Sequence, residues 1–132
     1  MLRRFTPTLM LLLPLASLWA GGFFLTVQQK GPAITVEAQG CRDYSHASIT
    51  AHAEGLVNGK RESLPIQLTA TEKPGTYTVR KQWPDEGKWA LVFDGASAGV
   101  HTHTLVALTN NEWHPHMSMQ PLAPEEIEAA LR

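Results

Sequence analysis

The sequence predicts an all-β sandwich of six or seven short strands, preceded by an apolar N-terminal helix and followed by a short C-terminal one. Three observations carry that prediction. From residue 33 to residue 108 the apolar side chains recur mostly at every second position, the period of a strand buried on one face. Clusters of Pro, Gly, Asp and Asn interrupt the alternation at short intervals, where a fold built from hairpins needs its turns. The first 29 residues stand apart in composition, with no charged side chain beyond Arg3 and Arg4.

Those arginines precede residues 5–27, an uncharged and largely apolar run, and Lys30 is the next charge. Basic residues ahead of such a run are an export signal that stays in the cytoplasm while the rest of the chain crosses. Two fates fit the composition: cleavage after Ala20 with residues 9–15 as the apolar centre of a signal peptide, or retention of residues 8–27 as a membrane anchor. Leu18 occupies the third position before the cut, where a small residue is preferred, and so counts against cleavage. The run is just long enough to cross a hydrocarbon core of about 30 Å at about 1.5 Å per residue. Pro14, Gly21 and Gly22 are tolerated in such spans. The expected organisation is a signal or single anchor over 1–29, the β-domain over 30–120, and a short helix or tail over 121–132. The domain is expected on the extracytoplasmic side of the membrane, in the cell envelope.

The strands follow in order. "PAITVEA" supplies the first. "SITAHAEG" places Ile49, Ala51 and Ala53 on one face and Ser48, Thr50, His52 and Glu54 on the other, and "LPIQLTA" points Leu64, Ile66 and Leu68 inward. Pro74 and Gly75 turn the chain into "YTVRKQW", which alternates through Tyr77 and Val79. "PDEG" turns it again into "KWALVFDG", where Trp89, Leu91 and Phe93 face inward and Asp94 with Gly95 closes the strand. "HTHTLVALTNN" is the last, ending at an Asn-Asn turn signal. In "APEEIEAALR", Pro124 suits a first helical position, three glutamates favour the positive end of the helix dipole, and Ile127 with Leu131, four apart, form the contact stripe.

With 132 residues, of which about 100 follow the apolar segment, the chain has room for one small core. Eleven basic and twelve acidic residues are interspersed, for a formal charge of -1. No basic stripe is available to neutralise a phosphate backbone, which excludes nucleic acid as an expected partner. Cys41 has no second cysteine to pair with inside the chain and reads as a small, partly buried thiol, with a metal ligand or an intermolecular bridge as the alternative. No nucleophile elbow, His-Glu-x-x-His pattern or phosphate-binding glycine loop occurs, so a non-enzymatic role without a small-molecule substrate is expected.

"PGTYTVRKQWPDEGKWALVFDG", residues 74–95, resembles the Gly-x-Tyr then Pro-x-x-Gly-x-Trp pattern of small immunoglobulin-like extracytoplasmic modules of the YtkA, FixH and CopC type. The resemblance covers about a quarter of the chain. It implies an immunoglobulin-like sandwich, attachment through one N-terminal span, and association with copper handling or with assembly of a copper-containing membrane partner. One departure matters. CopC-like proteins take copper partly through a histidine at the mature N-terminus, and neither cleavage after Ala20 nor retention of the run puts a histidine there.

The residues themselves offer a separate pointer to metal. His101 and His103 are two apart in a strand, so their imidazoles share one face with Cα atoms roughly 6–7 Å apart, close enough to share an ion. Thr102, Thr104, Val106 and Leu108 take the opposite face, the last two as core. His114 and His116 flank Pro115 in an extended segment, and Met117 and Met119 follow. Imidazole with thioether is a ligand mixture suited to copper, Cu(I) above all. "TLVALTNNEW" between the pairs is long enough to finish a strand and turn back, which would bring the second group near the end of the first. The expected function is a membrane-anchored accessory domain that binds copper and assists a membrane partner. The alternative is a metal-free interaction or structural module, contacting another protein through a sheet edge or the "LVNGKRESLPI" loop, with the histidines as polar surface.

Overall fold

The computed structural model describes residues 22–108 and 115–132. Among them run β1 (Phe24–Lys30), β2 (Ala33–Gln39), β3 (Ser48–Val57), β4 (Lys60–Ile66), β5 (Thr69–Ala70), β6 (Thr76–Val79), β7 (Lys88–Ser97), β8 (Val100–Ala107), β9 (His116–Ser118) and the helix α1 (Pro124–Ala130). The strands form two antiparallel sheets, one in the order β1-β2-β6-β5 and the other in the order β4-β3-β7-β8-β9. Their facing sides bury a common core. Leu25, Val27, Ile34, Val36 and Val79 come from the first sheet, and Ala51, Ala53, Ile66, Trp89, Leu91, Phe93 and Val106 from the second. This is a β-sandwich, stabilised by about 1.5–3 kcal/mol for each large apolar side chain withdrawn from water.

The alternation read from the sequence holds for the inward residues of β3, β4 and β7, and Trp89 is buried between the sheets with its indole N–H donating to the Glu86 carbonyl at 2.8 Å. Its ring lies over Gly55, where a Cβ would come within 2.5 Å of the ring carbons. Glycine at 55 is the space that the indole occupies.

Elsewhere the structure differs from the sequence expectation, each time for a local reason. Residues 24–29, expected within the apolar N-terminal segment, belong to β1, which pairs with β2 over its whole length. Phe23, Leu25 and Val27 are core, and Phe23 stacks on Tyr44 with ring centroids 4.6 Å apart. An apolar run that ends in alternation serves a strand as well as a span. "LPIQLTA" is not one strand: β4 lies in one sheet and β5 in the other, and the chain crosses between sheets at Gln67 and Leu68. The "LVNGKRESLPI" segment is a hairpin rather than a loop, turned by Asn58 and Gly59 at φ 51° and 76°. Two consecutive left-handed residues are what a two-residue hairpin turn requires. Asp94 and Gly95 do not close their strand, because β7 continues to Ser97 before its hairpin into β8. Thr102 and Thr104 are as buried as Val106, since β1 of the facing sheet packs over β8.

The helix α1 lies on the outer side of the five-stranded sheet. Leu131, Ile127, Ala130 and Leu122 pack against Ala90, Val92, Leu105 and Leu56, making a second, smaller cluster. Pro124 stands at the first turn, and the Glu126 carboxylate accepts from the Ala123 backbone N–H at 2.7 Å. Arg61 on β4 reaches Glu128 at 3.8 Å and His116 on β9 reaches Glu126 at 3.3 Å, so both edge strands of this sheet touch the helix. No helix among the described residues is long and apolar enough to cross a membrane. Of the expected anchor over residues 8–27, residues 8–21 lie outside the described ones and residues 24–27 belong to β1.

Candidate functional site

The part of the outer sheet face that α1 leaves uncovered carries the histidines. In antiparallel strands, directly opposed residues point the same way. The register opposes Asp94 to both Thr50 and His103, His103 to Ser118, and Leu105 to His116. His101, His103, His52 and His116 therefore share this face with Asp94 and Glu54.

Asp94 is the centre of the group. Its Oδ1 lies 2.5 Å from His103 Nδ1, and its Oδ2 lies 3.7 Å from His52 Nδ1. His52 Nε2 in turn lies 3.2 Å from Glu54, which also accepts from Ser63 at 3.2 Å and Arg61 at 3.3 Å. An ionised carboxylate can only accept, so the His103 proton that faces Asp94 sits on Nδ1, and in the neutral imidazole Nε2 then keeps the lone pair. That is the arrangement by which a carboxylate orients an imidazole as a metal ligand. His103 is half-buried and held in place, whereas His101, opposite Ala96 two residues earlier on β8, is exposed.

The second group of candidate ligands does fold back: β9 pairs alongside β8, as its distance along the chain allowed. It arrives with its ligands divided. His116 joins the histidine face, where its ring meets Glu126; the hydrogen bond from the Ala123 backbone, with help from His116, holds the Glu126 carboxyl below its ordinary value. Met117 opposes Thr104 and so points to the other side of the sheet. Met119, two residues on, joins it in lining a groove of about 310 Å³ with Phe23, Phe24 and Thr102. His116 and Met117 therefore stand on opposite faces of β9, because a step of one residue along a strand changes face. His114 lies outside the described residues. Among the described residues, no group of three or more His, Cys, Asp or Glu side chains is placed to hold a metal.

Sequence reasoning missed Asp94, read as a turn residue, and set His52 aside as polar surface. Their meeting depends on which residues of β3 and β8 flank β7, a long-range register that no local pattern carries. The hairpin signal was local: "NG" at Asn58 and Gly59 fixes the β3–β4 register by itself. No protein-family model, curated protein or solved structure matches the chain.

Proposed function

We propose that this chain is a membrane-tethered, extracytoplasmic accessory module of immunoglobulin-like build that takes up a copper ion on its outer sheet face and passes it to a membrane partner. The strand order supports the immunoglobulin-like reading. Four strands in the order first, second, sixth, fifth, facing a sheet built on the third, fourth, seventh and eighth, follow the two-sheet pattern of that sandwich. The observation that carries the functional reading is the contact of Asp94 with His103, which leaves Nε2 of an oriented imidazole beside the exposed His101. Two imidazoles are an incomplete shell for Cu(II), and an incomplete shell admits the donor atoms of a receiving protein. On this reading Met117 and Met119, which line the groove on the other side of the sheet, stand apart from the site.

The test is a competition titration of the untagged chain with Cu(II). Replacing His101 and His103 together by alanine should abolish binding tighter than that of an ordinary surface histidine, and His46→Ala or the pair Met117→Leu and Met119→Leu should leave it intact. Equal, weak binding by all of them sinks the copper reading.

One observation favours the rival, a metal-free structural or interaction module. His52, His103 and His116 each already meet a carboxylate, and those contacts tie β3 to β7, β7 to β8 and β9 to α1. On that reading the histidines are cross-strand and helix-to-sheet fastenings.

A further inference from the structure

Four large apolar side chains are exposed among the described residues: Phe24 at 38%, Val100 at 41%, Met119 at 50% and Met117 at 55%. They belong to three strands and two sheets, yet they gather at one corner. Phe24, Met117 and Met119 line the same groove together with Gly22. Val100 lies two residues before Thr102 on the same side of β8, and Met119 follows Ser118, the last residue of β9, which opposes His103. Phe23, beside Gly22, reaches Gly95 and so fixes the start of β1 at this end of the five-stranded sheet. The opposite end carries the polar β3–β4 hairpin with Asn58, Gly59 and Lys60 exposed.

Gly22 is also where the uncharged N-terminal run meets the fold. Residues 5–22 number eighteen, which as a helix measure roughly 27 Å against a hydrocarbon core of roughly 30 Å. Phe23 is already buried in the sandwich, so no spacer separates the run from the domain. A span that short, joined directly to a folded domain, draws the start of that domain to the depth of the lipid headgroups. Phe24, Met117 and Met119 surround that point with Val100 further along β8, and side chains of this type are the ones the boundary between headgroups and acyl chains accepts.

We propose that this corner, formed by the start of β1, the start of β8 and the edge strand β9, is a lipid-contacting surface that seats the domain on the bilayer in a fixed orientation, with the β3–β4 hairpin pointing away. The proposal rests on the reading of the N-terminal run as a retained span. In that orientation His101, next to Val100, lies close to the membrane surface, within reach of a membrane-embedded acceptor.

The experiment uses the full chain with Cys41→Ser, carrying Met117→Cys or Lys60→Cys labelled with a fluorophore. Each is reconstituted into phosphatidylethanolamine–phosphatidylglycerol vesicles containing lipid spin-labelled just below the headgroup. The label at 117 should lose most of its emission and the label at 60 almost none. If both stay bright while the chain sediments with carbonate-washed vesicles, the seated corner is wrong and the anchor stands. Equal quenching at both positions overturns the fixed orientation. Release of the chain by the carbonate wash overturns the anchor, and with it the surface that rests on it.

Discussion

His103 and Asp94 face each other across β7 and β8, ring Nδ1 to carboxylate Oδ1 at 2.5 Å, on a sheet face where His101 stands beside them and α1 stops short of covering them. The pair supplies charge and direction to one imidazole. Its removal should therefore separate orientation from folding.

Asp94→Asn keeps the shape and removes the charge. Cu(II) affinity should fall by about 10–100-fold, the usual cost of losing the carboxylate behind a ligating histidine. Stability should change little, because partly exposed ion pairs contribute only about 0–1 kcal/mol. Titration and thermal melting of the same sample distinguish the two effects. A large loss of melting temperature with unchanged affinity would make the pair a structural fastening.

Trp89 and Gly55 form one packing unit. Trp89→Ala should cost about 3–5 kcal/mol, a large part of the roughly 5–15 kcal/mol by which a domain is stable. Gly55→Ala should destabilise from the other side, by about 1–3 kcal/mol, since its Cβ meets the indole and must displace it. Denaturant melts of the two variants check both, and Gly55→Ala in a Trp89→Leu background should be less costly than alone.

Phe23 tests whether the fold reaches back into the apolar run. Phe23→Ala should cost about 3–5 kcal/mol through the lost stacking on Tyr44 and the emptied space over Gly95 and Thr102. A chain beginning after Val27 should fail to give a cooperative melt, while one beginning at Gly22 should melt as the parent does. Equal melting of all three would remove β1 from the core.

Acid should loosen two specific ties. The hydrogen bond from the Ala123 backbone holds the Glu126 carboxyl below its ordinary value of 4.5, and the hydrogen bond from Lys73 does the same for Glu37 on β2. Because both values are lowered in the folded state, their stabilisation is complete above 4.5 and fades as pH falls through the lower folded values. Melting temperature followed from neutral pH into this acid range should drop, and Glu37→Gln with Glu126→Gln should flatten that part of the profile. An unchanged slope in the double variant would place the acid-sensitive groups elsewhere.

What the sequence made legible follows from range. Alternation, Pro-Gly turns and the stripe of Ile127 and Leu131 are local, and they placed the inward faces of β3, β4 and β7 as well as the helix contacts that the structure has. The expected boundary at residue 29 falls inside β1, because strand and span draw on the same apolar residues, and only pairing with β2 and burial in the core show that Phe23, Leu25 and Val27 serve the sandwich. For the candidate site, the shared face of His101 and His103 was legible as a two-residue period. The part played by Asp94 was not, since it depends on β7 lying between β3 and β8. The separation of Met117 from His116 was implicit in their adjacency once "HMS" is read as a strand rather than as an extended, polyproline-like segment.

Among the described residues β1 pairs with no strand other than β2, and its hairpin turn at Gly31 lies at the end remote from Gly22. A pull applied through the residues before Gly22 and directed away from the sheet thus meets the Phe24–Gln39 pair first, then Leu25–Ala38, then Thr26–Glu37. The rungs give way singly, each worth about 1 kcal/mol, instead of resisting together in shear. Such a domain is mechanically compliant at its N-terminal strand. If the proposed tether exists, tension on it would peel β1 from β2 before the sheet that carries His103 and Asp94 is strained.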